Sequence, residues 1–185
     1  MQRITLFWVV LLSAFAIAGV SAVSVSASGH EFVVSKTGKT KSKGTTQTFK
    51  TGAGTIECAN VSGTGEITET KTVTHKEVLT YSNCIGFGMS VKVTAAHFEF
   101  NANGSERLEK TVYVNPEGSG CEVLIEPQTL EGVGYTNSSG KVTANASIIN
   151  IHSRGTGGYC GGANTEGSYG GAIQGEVEGG TVEWK

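Results

Sequence analysis

The sequence predicts an all-β protein: a single antiparallel β-sandwich of Greek-key or jelly-roll type, with a closed β-barrel as the alternative. Three observations carry this expectation. In 185 residues there are 27 glycines and only 2 prolines, with Thr and Val abundant, a composition of strands and turns. Short segments alternate apolar and polar residues between Gly, Asn and Ser, the period of a half-buried strand. Beyond the N-terminal apolar run, no stretch repeats apolar residues at helical spacing.

From the N-terminus, Met1-Gln-Arg3 carries one positive charge, Ile4–Val20 has none, and Ser21–Ser28 is built of small residues. That order is a secretory signal peptide, residues 1–27, with cleavage expected after Ala27. Ala22 also satisfies the small-x-small rule, and an uncleaved N-terminal anchor is the alternative. No second apolar run reaches membrane length, so the mature chain is expected without an integral membrane segment. Residues 28–45 form a polar lead-in. Lys36, Lys39, Lys41 and Lys43 among Thr, Gly and Ser suit a hairpin or a loosely held sheet edge. Residues 46–185 are then one β-domain.

Within that domain Cys121, Val123 and Ile125 share a face, and Pro127 stops the strand. Val73, His75, Glu77, Leu79 and Tyr81 share another. Tyr169, Gly171, Ile173, Gly175 and Val177 alternate with polar neighbours, and Val182 and Trp184 close the chain likewise. Two segments change parity midway: Val91 and Val93 against Phe98 and Phe100, and Ala144, Ala146 and Ile148 against Ile149 and Ile151. An extra residue at Ala95-Ala96 and another near Ile148-Ile149, each a β-bulge, would keep both halves on the core.

Cys58, Cys84, Cys121 and Cys160 are even in number and widely spaced, which reads as two disulfides formed in an oxidising compartment. Their spacing does not fit a zinc clip. Three connectivities are open, and loop-closure entropy mildly prefers sequential pairing. Cys84 and Cys160 are expected in Gly-flanked loops.

Gly54-Thr-Ile-Glu-Cys58, Tyr81-Ser-Asn-Cys84, Cys121-Glu-Val-Leu-Ile-Glu-Pro-Gln128, Val133-Gly-Tyr-Thr-Asn137 and Cys160-Gly161 give the chain a likeness. It resembles a family of small exported, cysteine-stapled, β-rich proteins of soil bacteria with no assigned function. The resemblance covers roughly residues 46–185 and implies the pairs Cys58–Cys84 and Cys121–Cys160. It implies no activity. On it, the Asn-x-Ser sites at Asn60, Asn103, Asn137 and Asn145 are expected to be unmodified.

Composition excludes several functions. With 14 Lys+Arg, 16 acidic groups and a net charge of −2, the chain lacks the basic stripe that nucleic acid requires. All sixteen acids are glutamates, which excludes EF-hand loops, aspartic dyads and a strict Ser-His-Asp triad. Gly88-Met-Ser90-Val-Lys92 falls short of a nucleophile elbow. No cofactor motif is present, and no cofactor or metal is expected.

Two candidate sites remain. His75 and Glu77, two apart on one strand face, could form a general acid/base couple, but a hydrogen-bonded pair at the sandwich rim is the simpler reading. His97 and Glu99 repeat the spacing on an outer face. Gly155–Gly171 reads as a long Gly-rich loop pinned by Cys160, on which Tyr159, Asn164 and Tyr169 could stack on and hydrogen-bond a sugar. The leading functional expectation is a secreted or envelope-associated binding module, with an extracellular glycan or cell-wall component as partner. A purely structural extracellular protein is the alternative, and a Glu/His-dependent hydrolase comes last.

Overall fold

A computed structural model describes residues 29–158 and 160–185, without the side chains of residues 164 and 165. The leader with its cleavage positions, and Tyr159, lie outside the described residues. The chain runs through β1 (Phe32–Val34), β2 (Gly38–Gly44), β3 (Gln47–Thr51), β4 (Gly54–Ile67), β5 (Lys71–Thr72), β6 (Thr74–Gly86), β7 (Met89–Val93) and β8 (Ala96–Asn101). It continues through β9 (Ser105–Leu108), β10 (Val112–Pro116), β11 (Glu122–Ile125), β12 (Gln128–Glu131), β13 (Val133–Ser138), β14 (Lys141–Thr156), β15 (Gly162–Val177) and β16 (Val182–Trp184). The protein is all-β and antiparallel throughout. Among the described residues no helix is long and apolar enough to cross a membrane.

Hydrogen-bonded neighbours run from β4 through β6, β7, β10, β11, β14 and β15 to β2 and β3, and both of these pair β4 again. A branch, β8–β9–β12, leaves β6, and β13 pairs the outer half of β14. A separate three-stranded sheet, β16–β1–β5, brings the first and last described strands together with Lys71–Thr72. The sandwich-like body buries one face of each strand; Ile56, Leu108, Val114, Val123 and Ile148 are wholly enclosed. Burial of such aliphatic side chains stabilises a fold by about 1.5–3 kcal/mol each.

The lysine-rich lead-in is no edge. Gly38–Gly44 is an interior strand between β15 and β4, because Thr40 and Ser42 turn inward while Lys39, Lys41 and Lys43 face solvent. In β14 the ladder pairs Ile148 with Tyr169 and Ile151 with Gly167, so one extra residue sits on β14, as a bulge requires. Asn150 takes a left-handed φ of 61° there, and Ile149, expected inside, is 67% exposed. At Ala95-Ala96 no residue is inserted. Cys84 pairs Val91 and Leu79 pairs Ala96, so five steps on one strand match five on the other. The strand breaks into β7 and β8, and β6 switches faces at the same level through Asn83, φ 52°. Val73, expected on the inner face, lies outside β6 and is 62% exposed.

Both disulfides implied by the resemblance are present. Cys58 and Cys84 are directly opposed on β4 and β6, their Cα atoms 3.9 Å apart. Cys84 is therefore a strand residue rather than a loop residue. Cys121, ahead of β11, is tied to Cys160 in the β14–β15 connection, Cα to Cα 5.6 Å. Such bridges belong to a chain that folds in an oxidising compartment.

Candidate functional site

His75 and Glu77 come together with two residues of β2 over a gap in the strand between them. The register aligns Thr40 with Gly65 and Glu77, and Ser42 with Gly63 and Leu79. Side chains on next-but-one strands ordinarily stand too far apart to touch, because the middle strand's side chains fill the space. Here that strand presents Gly63 and Gly65. A Cβ at Gly63 would stand 2.6 Å from Glu77 Oε2, and one at Gly65 would stand 2.9 Å from Thr40 Oγ1. Through this window Ser42 Oγ donates to Glu77 Oε2 at 2.6 Å. His75 Nε2 lies 3.2 Å from both Thr40 Oγ1 and Glu77 Oε1. Thr40, Ser42 and Glu77 are all buried, and His75 Nδ1 is buried without a partner among the described residues.

The order of contacts decides the chemistry. A nucleophilic relay needs the hydroxyl on one ring nitrogen and the carboxylate on the other. Ser42 instead gives its proton to Glu77 directly, and His75 spends one nitrogen on both neighbours. The cluster is a hydrogen-bond network flooring a recess, with His75 Nδ1 left without a partner among the described residues. The recess, about 60 Å³, is walled almost wholly by carbon from Phe32, Ile67, Phe100, Val142, Ile173 and Val182.

The Gly-rich segment is mostly strand. Gly162–Val177 forms β15, and its inner face alternates glycine with Tyr169, Ile173 and Val177. Tyr169 is buried and donates to Gln47 Oε1, so it does not offer its ring to a surface ligand. Gln47 in turn fits only because position 171 is glycine, where a Cβ would lie 2.8 Å from its Nε2. Asn164 stands opposite Ser153 on the ladder. His97 and Glu99 lie on β8, where Glu99 pairs with Lys76 at 3.3 Å.

Sequence reasoning passed over Glu106. It is 3% exposed in the middle of the core, with Oε1 unpartnered among the described residues, and burial pushes its pKa up to about 8. Burial, and secondarily the nearby Glu106 charge, raises the Tyr135 hydroxyl above its usual range. No local signal marks Glu106, since Ser-Glu-Arg-Leu reads as an ordinary polar strand.

It also passed over a surface groove of about 470 Å³ beside the first disulfide. Thr55 and Glu57 of β4, Asn83 and Ile85 of β6, the Phe87-Gly88 turn and Thr46 line it. Ile85 is 63% exposed. The two-residue turn takes φ 57° at Phe87 and 75° at Gly88. Turns of this kind favour Asn or Gly at the first position. A phenylalanine there carries conformational strain, of order 1 kcal/mol, and holds its ring over Gly54 at the groove. The side chains of Glu57 and Asn83 make no hydrogen bond or ion pair within the described protein. The detectable signal was the outward parity of Glu57 and Ile85 on either side of the two cysteines.

Among the described residues no group of three or more His, Cys or Glu side chains could hold a metal ion. Comparison of the chain with protein families, with curated proteins and with solved structures returns no match.

Proposed function

We propose that this chain is an exported, disulfide-stapled β-domain that binds an extracellular or cell-wall glycan in the groove of Glu57, Asn83, Ile85 and Phe87. The observation that carries the reading is the groove's composition. Apolar Ile85 and Phe87 lie between a free carboxylate, a free amide and the hydroxyls of Thr46 and Thr55. A pyranose has that same division, with C–H groups on its faces and hydroxyls around its rim. Glu57 can accept from sugar hydroxyls, and Asn83 can both donate and accept. The signal-peptide order at residues 1–27, the two bridges and the likeness to small exported bacterial proteins support export. The groove takes over the role expected of Tyr159, Asn164 and Tyr169, since Tyr169 is committed to the core.

A glycan array and pull-down on isolated cell walls test this, using the mature protein and its Glu57→Ala and Ile85→Ala variants. Retention by at least one glycan or wall fraction is expected, weakened tenfold or more by either substitution. Retention unchanged in both variants, or no retention by the unaltered protein, would overturn it.

A further inference from the structure

We infer that the recess above His75 and Glu77 is a second binding site, for a small apolar molecule, and that it is independent of the groove. Three features lead there. The first is the lining, which comes from both layers of the fold. Ile67, Phe100, Val142 and Ile173 supply the walls, and Phe32 and Val182 of the terminal sheet supply the roof.

The second is the floor. Thr40, Ser42, His75 and Glu77 are polar, yet Ser42 donates to Glu77 at 2.6 Å and His75 Nε2 sits 3.2 Å from both Thr40 and Glu77. A water in a cavity needs two to four polar partners, and of the floor's buried side-chain polar atoms His75 Nδ1 alone lacks a partner among the described residues. A recess of about 60 Å³ built this way is poorly suited to water and well suited to a guest recognised by shape and dispersion. The guest's size follows from that volume: at about 60 Å³ the recess is well under the ~150 Å³ of a cavity that takes benzene, so it suits a guest nearer the size of xenon.

The third is the roof. β1 is three residues long and lies between β5 and β16. Glu31 and Lys185 exchange two backbone hydrogen bonds, at 2.7 and 2.9 Å. Trp184 fastens this sheet to the body through Ala102 O and Asn137, each at 2.8 Å. A small three-stranded sheet opens at lower free energy than the thirteen-stranded body, which gives a guest its way in.

Position 175 provides a plug. Gly175 lines the recess, and a Cβ there would meet only Val142 O, at 3.8 Å. Leucine at that place therefore projects into the space without backbone strain. The experiment exposes the folded, oxidised protein to xenon and follows methyl NMR shifts of Val142, Ile173 and Val177. Shifts confined to these methyls are expected, with xenon at ten times its Kd multiplying the folded-to-unfolded ratio about 11-fold. Gly175→Leu should abolish both effects. Absence of shifts in the unaltered protein, or an equal response in Gly175→Leu, would refute the site. If Gly175→Leu does not fold, the position of bound xenon in a crystal of the unaltered protein decides the matter. Glu57→Ala should retain the response, so failure of the glycan reading leaves this one standing, and the converse.

Discussion

Replacing Glu106 with glutamine should make the protein more stable at pH 8 and leave it nearly unchanged at pH 5. Glu106 is 3% exposed and burial pushes its pKa from 4.5 up to about 8. Between those values the folded state holds a proton that the unfolded state has released. Stability from this group is therefore complete below about pH 4.5, falls as pH rises, and is gone once pH passes the folded value. The interval of 3.5 pH units, 8 minus 4.5, at 1.36 kcal/mol each gives an upper bound of about 5 kcal/mol. Water entry and relaxation around the carboxylate reduce it, so about 2–3 kcal/mol is the expected difference. Glutamine has nearly the same shape and no charge, so the Glu106→Gln variant lacks this slope. Urea unfolding of both proteins at pH 5, 6.5 and 8, with the disulfides intact, measures it. Background titrations cancel in the difference between the two. A difference that is the same at pH 5 and pH 8 would refute the reasoning.

Peptide mapping without reductant should recover Cys58–Cys84 and Cys121–Cys160, and a linked Cys84–Cys121 peptide would contradict the fold. Replacing Cys58 and Cys84 together by alanine should cost about 3–4 kcal/mol in denaturant unfolding, from the 26-residue separation they close. Gly63→Ala should cost about 2 kcal/mol or more, because its methyl displaces the Ser42–Glu77 contact, whereas Gly134→Ala, with open space around it, should be neutral or stabilising by up to ~1 kcal/mol. N-terminal sequencing of secreted protein should begin at Ser28, and a membrane-bound product beginning at Met1 would favour the anchor.

Strand identity was legible wherever one face is apolar, as at Val123 and Ile125, since alternation is a local property with a fixed period. The bulge in β14 was legible for the same reason: apolar residues on both sides of Ile149 demanded a change of phase. The amino-acid sequence alone thus determined the all-β class and the even cysteine set. Tertiary structure decided what depends on which strands become neighbours. Thr40-Lys-Ser42, Gly63-Thr-Gly65 and His75-Lys-Glu77 are three ordinary alternations until register lays them side by side and the glycines open a window between the other two. The lysines of β2 described only its solvent face, so its interior position was invisible from composition. Glu106 was passed over for a related reason: a glutamate between Ser105 and Arg107 carries no local mark of burial, whereas the alternation of Tyr169 with Ile173 and Val177 did mark its inner face but not its partner. The desolvation of Glu106 and Tyr169 comes from residues far away in the chain, such as Gln47, which hydrogen-bonds Tyr169 across 122 positions.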